Sequence, residues 1–158
     1  MLCWKLFHIF VGITGGIEID MHERVETCSA VLQEAEKQGV DPKLAAAVTW
    51  VESRFYRNKV NPRSGAVGPL QVLPRYWCPN PKGEFSIHRA DGVVRGCNTL
   101  TRGVYALKYF VDHRRTTAGA VASFGYKQSD SYYTQLILKL HRCAQNPKRV
   151  ECKRKGLR

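Results

Sequence analysis

Six cysteines spread from one end of the chain to the other set the strongest limit on how it can fold. They stand at positions 3, 28, 78, 97, 143 and 152, and they lack the paired Cys-x-x-Cys spacing that zinc sites usually show. This many cysteines is unusual in a reduced cytosol, so the count favours disulfide bonds over buried free thiols. Cys78 with Cys97, and Cys143 with Cys152, would each close a short loop, although a sequence does not establish connectivity.

Length and charge bound the class of protein. With 158 residues, 44% of them hydrophobic and 24% charged, the chain is the size of one folded domain with one core, and disordered and fibrous classes are excluded. Its 25 Lys and Arg against 13 Asp and Glu leave a formal net charge of +12, which attracts anionic polymers. Charge alone does not distinguish among the possible anionic partners, which include nucleic acid, acidic lipid, teichoic acid and the carboxylates of peptidoglycan stem peptides. A sequence motif has to identify the partner.

Residues 1–20 are expected to be a signal-like or extension segment. The apolar run from Met1 to Gly16 contains one Lys and has small residues near its end, a pattern similar to a signal peptide. It is shorter than the roughly 20 residues of a membrane span. A signal-anchor, or an extension ahead of a start at Met21, is the alternative. A domain at 21–143 and a basic tail at 144–158 are expected to follow, with Lys148 to Arg158 mobile and outside the core.

Hydrophobic spacing predicts that helices make up most of the domain. Apolar positions recur at helical steps from Met21 to Gln38, with Gly39 as the stop, and Asp41-Pro42 predicts a second helix start that continues to Phe55. The Gly- and Pro-rich stretch 61–69 predicts a shaped loop, 70–74 a short helix or extended segment, and 75–97 an irregular excursion with a small hairpin. Further helices are predicted at 99–113, 118–124 and 132–143.

Glu52 is the candidate catalytic residue. It lies at the edge of the apolar stripe of the second helix, which is formed by Leu44, Ala47, Val48, Val51 and Phe55. Partial burial disfavours the charged form of a carboxyl, so Glu52 would hold a proton near neutral pH, as a general acid requires. The alternative is an ordinary surface carboxylate paired with a nearby arginine.

Two spaced motifs resemble the signature of the lytic transglycosylase (SLT) domain. The first is Glu52-Ser53-Arg54-Phe55 and the second runs Ser64-Gly-Ala-Val-Gly-Pro-Leu-Gln71-Val-Leu-Pro74. They are similar to the family pattern Glu-Ser-x-Phe followed by Gly-Ala-x-Gly-Leu-Met-Gln-Ile-x-Pro. Asn98 and Gly103 resemble a third block. The resemblance covers about residues 28–141, with 78–97 as an insertion.

The resemblance implies a mostly α, lysozyme-like fold, in which a helical lobe and a small irregular lobe flank a glycan cleft. It implies that Glu52 protonates the bond between N-acetylmuramic acid and N-acetylglucosamine in peptidoglycan and then takes the C6 hydroxyl proton, which forms a 1,6-anhydro sugar. Ser53 would orient Glu52 or hold its helix, and Gln71 would bind glycan. Ser64 is the match for a binding serine, with Asn61 as its rival.

The same resemblance implies that the backbone from Gly65 to Gly68 lets a sugar approach closely. The sequence also departs from the family. Pro69-Leu70 replaces Leu-Met, and the tyrosine that contacts the catalytic glutamate has no direct match, so Tyr126 is taken as its substitute.

Two other functions remain open. A goose-type lysozyme would add water instead of forming the anhydro ring and would use a second acidic residue, for which Asp91 is the candidate. A basic module that binds wall polymer without catalysis is the other, while no motif supports nucleic acid. The five scattered histidines predict no metal, and no cofactor is expected. We expect a monomer that is exported to the periplasm or the cell exterior, or delivered to the wall by a phage.

Overall fold

Capping residues in the sequence correspond closely to the observed ends of the helices. The structure is a computed structural model, and it describes residues 2–16, 20–79, 87–88 and 93–153. Its helices are α1 (Leu2–Thr14), α2 (Met21–Gln38), α3 (Pro42–Ser53), α4 (Pro74–Trp77), α5 (Thr99–His113), α6 (Thr117–Phe124) and α7 (Tyr132–Gln145). Strands β1 (Ile87–His88) and β2 (Val93–Val94) form an antiparallel pair. The expected mostly helical fold class and the small hairpin within 75–97 are confirmed.

The helix that carries Glu52 begins where the sequence predicts and ends two residues early. Asp41 accepts hydrogen bonds from the backbone of Lys43 and Leu44 and caps the start of α3. At the other end, Arg54 and Phe55 adopt left-handed φ values of 55° and 61°. The expectation that the helix runs to Phe55 was wrong, because this turn buries the Phe55 ring completely in the core.

The core extends into the segment that the sequence set apart at residues 1–20. Cys3, Leu6, Phe7 and Phe10 of α1 are buried, and Phe7 meets the Trp50 ring edge-on with 5.2 Å between centroids. Burying a large apolar side chain of this kind contributes about 1.5–3 kcal/mol. A domain that begins at residue 21 is therefore too narrow a description, since α1 supplies part of the core. No described helix is both long and apolar enough to span a membrane.

Three disulfide bonds fasten segments around this core. Cys78–Cys97 and Cys143–Cys152 form as the loop lengths suggested, and Cys3–Cys28 ties α1 to α2. No free cysteine remains.

The basic tail is fastened along its first part. A 3-10 turn at Val150–Cys152 carries the disulfide to Cys143, and Glu151 pairs with Arg142 and Arg149 at 3.1 Å each. The expectation that the tail is mobile was therefore wrong for residues 148–153, because a disulfide bond and these ion pairs hold this segment against α7. Residues 154–158 lie outside the described part of the chain.

Candidate active site

Glu52 stands in the last turn of α3, where other side chains hold the helix end in place. Lys59 Nζ donates to the backbone oxygen of Glu52 at 2.5 Å. Arg24 Nη1 donates to the backbone oxygens of Ser53 and Arg54 at 3.3 and 3.2 Å. The last carbonyls of a helix lack partners within it, and cations are favoured at this end of the helix dipole. These contacts fix the backbone from which the Glu52 carboxyl projects.

The Glu52 carboxyl is partly withdrawn from water. Burial raises the pKa of Glu52 from 4.5 to about 7, and a hydrogen bond from Tyr133 and the charges of Lys59 and Lys127 oppose the rise only in part. The Tyr133 hydroxyl donates to Glu52 Oε1. Burial and the nearby carboxylate raise the pKa of Tyr133 far above its usual range, so this hydroxyl stays a donor. Near neutral pH the carboxyl therefore populates both its protonated and its ionised form.

Tyr133 reaches Glu52 because α7 packs against α3, with the first turn of α7 beside Gly125 at the end of α6. Ser131 caps α7 by accepting from the Thr134 amide at 3.2 Å, and this places Tyr133 in the first turn. Its ring lies against Gly125. A Cβ atom on Gly125 would stand 2.2 Å from Tyr133 Cε1, so a residue without a side chain is needed for the ring to approach.

Tyr126, expected to contact Glu52, lies elsewhere. It is 64% exposed and lines a separate groove, so the expectation was wrong and Tyr133 makes the contact. Sequence reasoning missed Tyr133, although a signal was available. Tyr133 shares a helical face with Ile137, Leu140 and Ala144, at steps of four, three and four, and those three residues are buried.

Ser53 is too deeply buried to touch a ligand. It is only 4% exposed, and its hydroxyl donates to the Thr49 carbonyl at 3.2 Å. Of the two roles that the resemblance implied for Ser53, holding the helix fits this geometry. The expectation that Ser53 binds substrate was wrong, because its side chain is buried.

The Gln71 side chain holds the loop between α3 and α4 together through two hydrogen bonds. Its Nε2 donates to the carbonyl oxygens of Lys59 and Gly68, both at 2.9 Å, which uses both amide hydrogens. Only the amide oxygen of Gln71 is then left to bond a ligand hydroxyl. Since Lys59 also bonds the Glu52 backbone, one lysine links the predicted binding residue to the predicted acid.

The remaining predicted binding residues divide into exposed and packed positions. Gly68 has φ +86°, and a Cβ there would lie 2.4 Å from Thr99 Oγ1, so packing against α5 explains this glycine. The expected contact of Gly68 with sugar was wrong, because the residue is buried. Gly65 has φ +75° with open space around it, so close approach of a ligand remains a prediction there. Ser64 is exposed, while its rival Asn61 accepts from the Ser64 amide and closes the turn.

An aromatic groove of about 630 Å³, which the sequence did not predict, lies on the α4 and α5 side. Its lining includes Tyr76, Trp77, Arg102, Tyr105, Tyr109 and Tyr126. Tyr126 on the rim of this groove directly follows Gly125, and the Tyr133 ring that bonds Glu52 lies against Gly125. Flat aromatic faces of this kind are suited to sugar rings.

Residues that could hold a metal are few in the described part of the chain. The one group with ligand-like spacing there is Cys143, Glu151 and Cys152, and the disulfide bond occupies both sulfurs. The absence of a metal and of a cofactor stays a prediction. Asp91, the candidate second acid, lies outside the described residues.

Comparison with known proteins gives one match. The family model described as the transglycosylase SLT domain matches residues 29–126, which is more than half of the chain. The match includes Glu52, the loop stapled by Gln71 and all of α5 and α6, and it confirms the family resemblance and the lysozyme-like fold class. No curated protein and no solved structure matches this chain.

Proposed function

Because the chain belongs to the transglycosylase SLT domain family, a family that acts on cell-wall peptidoglycan, we propose that it cuts the glycan strand between N-acetylmuramic acid and N-acetylglucosamine and releases a 1,6-anhydro product. Glu52 is the proposed acid and base. The observation that carries the proposal is the placement of the Glu52 carboxyl, which is partly buried and accepts a hydrogen bond from the Tyr133 hydroxyl; its burial raises the pKa of Glu52 to about 7.

In the proposed first step, protonated Glu52 gives its proton to the glycosidic oxygen as the bond to the muramic acid C1 breaks. In the second, the resulting carboxylate takes the proton of the C6 hydroxyl while that oxygen bonds to C1. One carboxyl thus acts twice, and a group with a pKa near the working pH does both well. The Tyr133 hydroxyl, donating to Oε1, would hold the carboxyl in one orientation and stabilise its ionised form.

A single carboxyl suffices for this route, since the usual glycosidase pair divides between two residues the roles that the sugar's own hydroxyl fills here. Hydrolysis by a goose-type lysozyme would need a second acid, and the candidate for it, Asp91, lies outside the described residues.

The proposed setting follows from the substrate. We propose export to the periplasm or cell exterior, or delivery by a phage, and three disulfide bonds are compatible with such a compartment. The net charge of +12 supports electrostatic contact with anionic wall polymers. The proposed enzyme acts as a monomer without cofactor, metal or nucleic acid.

The test is digestion of purified peptidoglycan by the wild type and by Glu52→Gln, with released muropeptides identified by mass spectrometry. Removal of a general acid or base costs about 10²–10⁴-fold in rate, so we expect that loss for Glu52→Gln. Glu26→Gln is the matched control, because Glu26 lies on the solvent side of α2 with its side chain 68% exposed.

Each result has a defined reading. Anhydro-muropeptides from the wild type and the Glu26 variant, and none from the Glu52 variant, support the proposal. Products heavier by one water would identify a hydrolase instead. Full activity in Glu52→Gln would remove that residue from the mechanism, and wall binding without any product would identify a binding module.

A further inference from the structure

The aromatic groove has a rigid floor. Trp77 meets the rings of Tyr105, Tyr109 and Phe110 edge-on, with centroid distances of 5.7–6.3 Å, and the next residue, Cys78, is held by its disulfide bond to Cys97. Edge-to-face contacts of this kind restrict each ring to one orientation. The groove therefore presents preformed flat surfaces, which reduces the entropy lost when a ligand binds.

Two arginines stand over the tyrosines of this groove. Arg102 Cζ lies 5.5 Å from the centre of the Tyr105 ring, and Arg75 Cζ lies 4.7 Å from that of Tyr76. Neither arginine has an acidic partner among residues 2–16, 20–79, 87–88 and 93–153. A guanidinium held over an aromatic ring keeps its forked donors available, and that fork matches a carboxylate.

We propose that this groove recognises the stem peptides of the glycan strand, with Arg102 bonding a peptide carboxylate while the tyrosines contact the sugars. The protein then prefers strands that still carry peptides over strands from which they have been removed. The inference rests on the proposed function, since it takes the peptidoglycan strand as the ligand and assigns it a selectivity.

Position and charge both favour this occupant. Tyr126 belongs to the groove, and it follows the glycine that supports Tyr133, the residue bonded to Glu52. The inference takes a strand that is cut at Glu52 to continue past Gly125 and into this groove. Its sugars offer hydroxyl groups and apolar faces, and its peptides offer carboxylates to Arg75 and Arg102, which have no acidic partner among the described residues.

The experiment measures binding in the Glu52→Gln background by calorimetry, so that no strand is cut. The two probes are a muropeptide tetrasaccharide with its stem peptides and the same tetrasaccharide after amidase treatment, with the lactyl carboxylates that the amidase frees capped as methylamides. We expect the peptide-bearing probe to bind about fivefold more tightly, a preference of about 1 kcal/mol. Adding Arg102→Gln should abolish the preference with little change for the stripped probe, and Arg102→Lys should keep only part of it, because an ammonium group lacks the forked donors.

Lys37→Gln is the control for net charge, because Lys37 is 76% exposed on α2 and lies outside the groove; it should keep the preference. The melting temperature of each variant separates lost folding from lost recognition. Equal binding of both probes would overturn the inference, as would an equal loss for both in Arg102→Gln. Tighter binding of teichoic acid, weakened by Arg102→Gln, would overturn it in favour of a phosphate polymer.

These outcomes are independent of catalysis. If wild-type protein releases no muropeptides but the Glu52→Gln background shows the preference, the proposed reaction fails and the recognition stands. If muropeptides are released and the two probes bind equally, the reaction stands and the recognition fails.

Discussion

The buried carboxyl of Glu52 should make the stability of the fold depend on pH in a way that Glu52→Gln abolishes. The folded pKa, about 7, lies above the ordinary value of 4.5, so between these values the folded chain holds a proton that the unfolded chain has lost. The contribution of Glu52 to stability is therefore complete below pH 4.5 and lost as pH rises to 7. Glutamine is neutral throughout and still offers an oxygen to Tyr133.

The size of the effect follows from the same two values. One pKa unit corresponds to about 1.4 kcal/mol, so the rise from 4.5 to about 7 corresponds to on the order of 3 kcal/mol. Glu52→Gln should match the wild type in unfolding free energy near pH 4 and exceed it by about 3 kcal/mol at pH 8. For a chain of this length that is about 6–12 °C in melting temperature.

Denaturant unfolding at steps of one pH unit from 4 to 8, with disulfides intact, measures this difference. Comparing the two proteins at each pH cancels all other titrating groups, and Glu26→Gln reports the effect of removing an exposed carboxylate. A stability difference between wild type and Glu52→Gln that stays constant from pH 4 to 8 would show that the Glu52 carboxyl titrates normally. The reasoning about burial would then be wrong.

Three further predictions use the same protein. Tyr133→Phe removes a donor that favours ionised Glu52, so its activity should fall and the alkaline limb of its pH profile should move to higher pH; an unshifted limb would contradict this. Gly125→Ala should reduce muropeptide release at least as much, since its Cβ meets the Tyr133 ring, and wild-type activity would refute the packing argument. Cys3→Ser with Cys28→Ser opens a bond between residues 25 apart and should cost about 3 kcal/mol of stability by denaturant titration; no loss would show that the bond contributes nothing.

The helix bounds were predictable because their signals are local. Met21–Gln38 and Thr99–His113 match the sequence prediction, since the first ends at a left-handed Gly39 and the second is capped by Asn98. The early end of α3 was not predictable from spacing, because it depends on the left-handed turn at Arg54 and Phe55 that takes the Phe55 ring into the core. A lysine and an arginine from other segments then bond the last carbonyls of the helix.

The site could be predicted where a local sequence pattern marks the residue, as at Glu52. It could not be predicted where residues far apart in the sequence come into contact. The sequence singled out Glu52 for partial burial, and its raised pKa agrees. Ser53 and Gly68 sit within matching motifs, yet one is buried and the other is packed against Thr99. Tyr133 lies 81 residues from Glu52 in the sequence. The signal that it faces the core was its position on the same face of α7 as the buried Ile137 and Leu140.

None of the three disulfide-bonded loops contains the proposed catalytic residue or the tyrosine that bonds it. Glu52 and Tyr133 lie outside the loops 3–28, 78–97 and 143–152, so helix packing alone brings them together. A reducing agent should therefore lower the melting temperature and loosen the wall of the aromatic groove beside Cys78, while Glu52 and Tyr133 keep their hydrogen bond. Reduction of the disulfide bonds would then change thermal stability and the affinity for a strand, whereas pH would change the rate of the proposed cleavage.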